Sequence, residues 1–242
     1  MNSDLVFFTV QVKETLLSIH AQQDLKGKAL KAVLKYRADI EEYMSKYPEF
    51  LISFQPLPIQ ENIPAIVKEM LLAAGEASVG PMAAVAGAIA EYVGKELLPF
   101  SSEIIVGNGG DIFIVSQKRR TIKIYAGNSP LTGKIALQIE PEETPLGLCT
   151  SSGTFGHSFS FGKADAVIAI APSASLADAA ATAIGNLVES AAHIPKAIEF
   201  AQGIKGLRGV AVIKDNEMQT WGKVKIIWTS IIPPSAAGGM IE

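Results

Sequence analysis

Asp178 and Thr182 stand four residues apart in an alanine-rich run, Ala177-Asp178-Ala179-Ala180-Ala181-Thr182-Ala183. Residues spaced i and i+4 share a helix face, so a carboxylate and a hydroxyl at this spacing can address one ligand. Two hard oxygen donors of this kind suit a cation such as magnesium. The neighbours are small and apolar and offer the pair little else to bond. A second reading stands beside the first. Ser175-x-x-Asp178 fits a capping box, in which Asp178 serves only the first turn of its own helix and Thr182 bonds back to a carbonyl.

Three further segments carry groups that can meet a ligand. Asn108-Gly109-Gly110-Asp111 lies between two strand-like runs. It reads either as a plain hairpin turn or as a turn that presents its amides, Asn108 and Asp111. Thr150-Ser151-Ser152-Gly153 opens a loop rich in hydroxyls and glycines, a composition that can cradle phosphate. His157, in the same loop, is the candidate catalytic base or phosphate contact; the alternative is a solvated loop histidine. Two familiar motifs are near-misses. Gly156 to Lys163 has the wrong glycine spacing for a P-loop, and Gly156-His157-Ser158-Phe159-Ser160 lacks the final glycine of a nucleophile elbow. His20, His157 and His193 are isolated, so no zinc spacing occurs.

The elements that must position these groups follow from periodicity. Leu5 to Ile19 reads as a pair of strands. Leu25 to Tyr47 reads as an amphipathic helix, ended by Pro48. Ile66 to Ala74 is a short helix, and Pro81 begins another that runs to Leu98. Strands follow at Glu103 to Val106, Ile112 to Val115, Thr121 to Tyr125, Lys134 to Ile139 and Leu146 to Cys149. After the 151–163 loop come a strand at Ala166 to Ile170 and helices at Ser175 to Ala191 and Lys196 to Gln202. Strands at Gly209 to Ile213, Met218 to Trp221 and Val224 to Trp228 are expected to close the sheet. Helices segregated from antiparallel strands make the class α+β. The strand–helix–helix–strand order occurs twice within one domain, 1–242, with halves of roughly 1–126 and 127–232 and a loose tail at 233–242.

Composition excludes several classes. The chain has 242 residues, 48% hydrophobic and 19% charged, with a net charge of -3. That is enough for a sizeable core and gives no basic face for nucleic acid. Lys118-Arg119-Arg120 is the one dense basic cluster, and a solvated turn explains it as well as a phosphate contact does. The lone cysteine, Cys149, forbids an intrachain disulfide and reads as a small buried hydrophobe. The N-terminus lacks a basic signal-peptide region, and Val79 to Ala90 is too short to span a bilayer. A cytoplasmic protein without a membrane span is expected.

Taken together, these motifs resemble those of the ApbE-like superfamily, whose best-known members are FAD:protein FMN transferases. Gly87-Ala88-Ile89-Ala90, Asn108-Gly109-Gly110-Asp111, Thr150-Ser151-Ser152-Gly153 with His157, and Ala177-Asp178-x-x-x-Thr182-Ala183 are similar to its segments, in its order. Val79 to Ala90, Cys149 to Thr154, Gly156-His157-Ser158 and Phe161 to Ala166 resemble a prokaryotic branch of it over nearly the whole chain. The resemblance implies a duplicated T-fold: two units of antiparallel strands with paired helices on one face. It also implies magnesium held by the side chains of Asp178 and Thr182 and the carbonyl of Ala88, with FAD or FMN at Asn108, Gly109, Gly110, Asp111, Thr150, Ser151, Ser152 and Gly153. The implied activity is FMN transferase-like or a flavin-nucleotide pyrophosphatase, with a small nucleotide ligand and a protein target as partners; a homodimer is an expectation apart from the resemblance. The alternative is a non-catalytic binding or accessory protein, associated in some relatives with anaerobic sulfur assimilation. One departure bears on this choice: Glu91-Tyr92 stand where the transferases usually have Lys-Gly.

Overall fold

The computed structural model describes residues 4–152 and 162–229. Its backbone is an eight-stranded antiparallel sheet with the order β1-β2-β3-β4-β7-β8-β9-β10. The strands are β1 (Val6–Val12), β2 (Thr15–Ala21), β3 (Ile104–Asn108), β4 (Asp111–Val115), β7 (Leu146–Ser151), β8 (Ala166–Ala171), β9 (Gly209–Lys214) and β10 (Glu217–Gly222). Helices α1 (Lys26–Lys46), α2 (Glu49–Ile52), α3 (Ala65–Ala77) and α4 (Val85–Leu97) lie in the chain between β2 and β3; α5 (Ala174–Gly185) and α6 (Ile194–Gly203) lie between β8 and β9. A smaller sheet, ordered β11-β6-β5, is built from β5 (Arg120–Lys123), β6 (Ile135–Ile139) and β11 (Ile226–Trp228). The α+β reading holds.

Burial on both faces explains why the central strands read as nearly continuous apolar runs. Side chains alternate across a strand. Val106, Phe113, Cys149, Val167 and Val212 join the helical core, with Val33, Met70, Ala88 and Ala177. Their neighbours Ile105, Ile112, Ile114, Leu148, Ile168 and Ile213 join a second core, with Ile122, Ile135 and Leu137 of the small sheet. In α1, Ala29, Val33, Tyr36, Ile40 and Tyr43 are buried at spacings of three and four, the stripe of a helix lying on a core. Among the described residues no single helix is long and apolar enough to cross a membrane. A bent pair, Ala65–Ala77 with Pro81–Phe100, passes on length and composition, but its residues pack into the helical core.

Three expectations need correction, and one further helix appears. The alanine-rich helix ends at Gly185 and does not reach Ala191; there Gly185 and Val188 are covered by Gly162 and Lys163, whose amide donates to the Val188 carbonyl at 2.6 Å. The last strand does not close the large sheet, because Ile226–Trp228 pairs with β6 on the other side. The connection after Tyr47 holds the short helix α2, anchored by fully buried Phe50. The basic cluster is not a solvated turn. Arg120 is buried and pairs with Asp4 and Glu103, while Lys118 pairs with Asp4 and Arg119 with Glu140.

Candidate functional site

The hairpin between β3 and β4 is a two-residue turn in which Asn108 pairs with Asp111. Gly109 sits at φ +65°, where a side chain is strained, and no other heavy atom lies near it. The turn therefore holds Asn108 half-buried and Asp111 buried at the sheet end. Asn108 Nδ2 donates to the Ala86 carbonyl at 3.2 Å, tying the turn to the first turn of α4. Across the sheet Asp111 faces Cys149, and the Thr150 amide donates to the Gly110 carbonyl at 3.1 Å. Three segments thus meet at one sheet end.

Asp178 arrives from α5. Its Oδ2 accepts from the Gly87 amide at 2.9 Å, and the Ala86 amide also bonds it. These are unsatisfied donors of the first turn of α4. Asp178 therefore does not cap its own helix. Ser173 does, accepting from the Leu176 amide at 3.4 Å, so the Ser175-x-x-Asp178 capping box is not formed. Gly87 makes the approach possible: a Cβ there would sit 2.2 Å from the Ala174 carbonyl oxygen and 2.9 Å from Asp178 Cβ.

The converse contact closes the pair of helices. Glu91, on α4 and buried, points Oε2 at the first turn of α5, accepting from the Ala174 amide at 2.7 Å and the Ser175 amide at 3.4 Å. The Ser173 hydroxyl lies 3.0 Å from both Glu91 and Glu69. Glu91 Oε1 bonds Lys95 at 2.6 Å. Each helix thus supplies the carboxylate that terminates the other. Sequence reasoning missed this role for Glu91; the one local signal is its i,i+4 partner Lys95.

The electrostatics single out the Asp178 end. Burial pushes the Asp111 carboxyl up to about 7, against hydrogen bonds from Cys149 and the Thr150 amide. Burial and the charge of Asp111 push Asp178 well above the carboxylate range, although the Gly87 and Ala86 amides pull the other way. The Cys149 thiol, fully buried, is raised by burial and by both carboxylates, so it is no nucleophile. Its Sγ also lies 3.3 Å from the Ala174 carbonyl oxygen, which competes with Asp111 for the single thiol proton. Two carboxyls share a confined place with no lysine or arginine among the influences on them.

Thr182 lies one turn along α5 from Asp178, half-buried, and its hydroxyl has no hydrogen bond among the described residues. Among the described residues no group of three or more histidine, cysteine or acidic side chains is arranged to hold a metal. Ala88 is buried in α4 beside Gly87. Ser151 is buried and Thr150 and Ser152 half-buried at the end of β7. Gly153 and His157 lie outside the described residues.

The fold, an antiparallel sheet with helices packed on it, is similar to that of ApbE proteins of known structure. The flavinyl transferase ApbE of Pseudomonas stutzeri, in its apo form, is similar in fold, with a TM-score of 0.61 over 90% of this chain and 94% of that one, at 13% identity. The chain belongs to the family described as AbpE bacteria, whose model matches residues 1–219. It is 40% identical over 221 residues to a UPF0280 protein of Methanococcus aeolicus, covering 89% of each chain. It is 42% identical over 221 residues to a UPF0280 protein of Methanocaldococcus jannaschii, covering 88% of this chain and 89% of that one.

Proposed function

We propose that this protein binds a flavin nucleotide, FAD in the first instance, together with magnesium at the Asp178 end of the α4–α5 pair, and that it acts as an FMN transferase-like enzyme on a protein target. The observation that supports the reading is the juxtaposition of Asp111 and Asp178, which have no lysine or arginine beside them among the described residues. A divalent cation supplies that missing charge and can bridge to the oxygens of a pyrophosphate. Asp178 and Thr182, with the carbonyl of Ala88, are the proposed holders of the metal. The 108–111 turn and the Thr150, Ser151, Ser152, Gly153 segment are the proposed cradle for the nucleotide, with His157 the proposed base. Glu91 does not oppose this reading, since both its oxygens are committed to α5 and Lys95.

The strand order supports a site placed between two halves. Each run of four strands in the large sheet carries its helices between its second and third strands. We read this as a duplicated T-fold-type unit divided near residue 126, with β4 and β7 forming the seam beside Asp111.

Calorimetric titration with FAD tests the proposal. Magnesium is expected to tighten binding at least about tenfold, roughly the effect of one well-placed charge interaction. Asp178→Asn keeps an acceptor for the Gly87 amide but removes the charge, and should abolish that gain while the chain stays folded. Equal affinity with and without magnesium in the native chain overturns the metal site. FAD binding without release of adenosine monophosphate, in the presence of a threonine-bearing acceptor, leaves the ligand and removes the transferase.

A further inference from the structure

We infer that the exposed face of α1 is a two-fold, antiparallel interface with a second copy of this chain. The charge order of α1 is the first observation. Residues 26–38 carry Lys26, Lys28, Lys31, Lys35 and Arg37 and no acid, whereas Asp39, Glu41 and Glu42 follow at once. Cations in the first turn oppose the helix dipole, and that turn holds no acid. Arg37–Glu41 and Glu42–Lys46 are pairs within the helix and Lys35 pairs with Glu96, but Lys28, Lys31 and Asp39 have no ion-pair partner among the described residues. The order gives one face a basic end and an acidic end.

The surface beside α1 repeats the pattern. Two hollows of about 250 Å³ each flank the helix. One is lined by Lys28, Lys31 and Lys35, with Glu96 and Phe100. The other is lined by Asp39, Glu42 and Glu61, with Lys46 and four uncharged neighbours beyond Tyr43. A two-fold axis perpendicular to α1 reverses the direction of the helix but keeps its side. It therefore lays the lysine hollow of each copy against the acidic hollow of the other.

The middle of the face is apolar and small. Leu30 is 41% exposed and Leu34 50% exposed. Gly27, Lys31, Leu34, Ala38, Glu41 and Ser45 recur at alternating steps of four and three, the seam of an antiparallel helix pair. Centred at the level of Tyr36, the axis sets Gly27 opposite Ser45, Lys31 opposite Glu41 and Leu34 opposite Ala38. All of these are exposed except Glu41, which is half-buried, and nothing lies within 4 Å of a Cβ built on Gly27. Lys35 and Glu42 are already paired within the chain, so Lys28 and Lys31 of one copy against Asp39 and Glu61 of the other carry the charge match, and a second copy supplies it at both hollows at once. One helix of this length spans about 31 Å, so the contact stands at the small end of specific interfaces and is reversible.

Sedimentation equilibrium of the full chain reads the interface directly. A dimer with a dissociation constant on the order of 10 μM is expected at low salt, weakened at least about tenfold at high salt as screening grows. Two variants sharpen the test. Lys28→Glu with Lys31→Glu makes both hollows acidic; Asp39→Lys with Glu42→Lys makes both basic. Each alone should sediment as a monomer with native circular dichroism, and the equimolar mixture should recover a dimer of one copy of each, identified by native mass spectrometry. Leu34→Asp should abolish association of the native chain. The inference fails if the native chain stays monomeric at low salt, if both charge variants still dimerise, or if their mixture stays monomeric. It also fails if the monomeric chain cosediments with phosphatidylserine vesicles and loses this in the Lys28→Glu, Lys31→Glu variant, because the lysines would then belong to a lipid surface.

Discussion

The two ends of the α4–α5 pair use one device with opposite results. At the α5 end, Glu91 meets the Ala174 and Ser175 amides and its second oxygen meets Lys95. At the α4 end, Asp178 meets the Gly87 and Ala86 amides, but its neighbours are Asp111 and Cys149. A helix N-terminus stabilises one nearby negative charge. The first end holds one carboxylate and a lysine, so it is complete as a structural joint. The second end carries a further carboxyl and is complete only with a proton or a cation.

Reversing the charge at the complete end should do the most damage. Glu91→Lys places an ammonium against the first turn of α5 and leaves Lys95 without its partner; a loss of about 3–5 kcal/mol in urea unfolding is expected. A loss below about 1 kcal/mol would mean that Glu91 is not what holds α5. Gly87→Ala comes next. Its methyl would overlap the Ala174 carbonyl, so the helices must separate, at a cost of about 1–3 kcal/mol. Unchanged stability there would show that the helix pair is looser than its contacts imply.

At the incomplete end the effects on stability should be small and the effects on binding large. Asp178→Ala should lower stability by only about 1 kcal/mol, the loss of a cap. Asp178→Asn should lower it less, and both should remove any response of the melting temperature to magnesium. Retention of that response would place the cation elsewhere. The smallest effect is expected far from both ends, at the ion cluster of Asp4, Arg120 and Glu103. Hydrogen bonds from Arg120 and Lys118 hold Asp4 below the carboxylate range. Burial alone would raise Glu103, but bonds from Ser116, Arg120 and the Gln117 amide outweigh it and lower it. Depressed carboxyls contribute stability that is present above their unfolded values, near 4 to 4.5, and is lost as pH falls through the folded ones. Acid titration of unfolding should therefore steepen below about pH 4 in the native chain. The steepening should shrink in Glu103→Gln. Identical acid profiles would show that the cluster makes no net contribution.

Sequence reading located the donors better than it located their partners. Asn108, Asp111, Thr150 and Asp178 are conspicuous because polar residues interrupt apolar runs, and the structure gathers them at one sheet end. The strands were legible because burial on both faces leaves short apolar runs with sharp ends. The sequence marks Glu91 only as a departure from the transferases' Lys-Gly, since its contact is with amides more than eighty residues away. Of the two readings of Asp178, the capping box fails for the same reason: a capping box is local, and this cap comes partly from another helix. The small sheet escaped because Ile226–Trp228 looks like any other short strand, and nothing local says that its neighbour is β6.

That pairing of β11 with β6 has a consequence for biosynthesis. Strand β6 leaves the ribosome long before β11, and until then it bonds only to β5. Between the synthesis of β6 and that of β11, β6 is an open edge, a template on which another chain can add. The three residues of β11 cap that edge last. A nascent chain stalled before Ile226 thus exposes a strand that the finished chain hides, which makes late elongation the interval in which this protein most needs a chaperone.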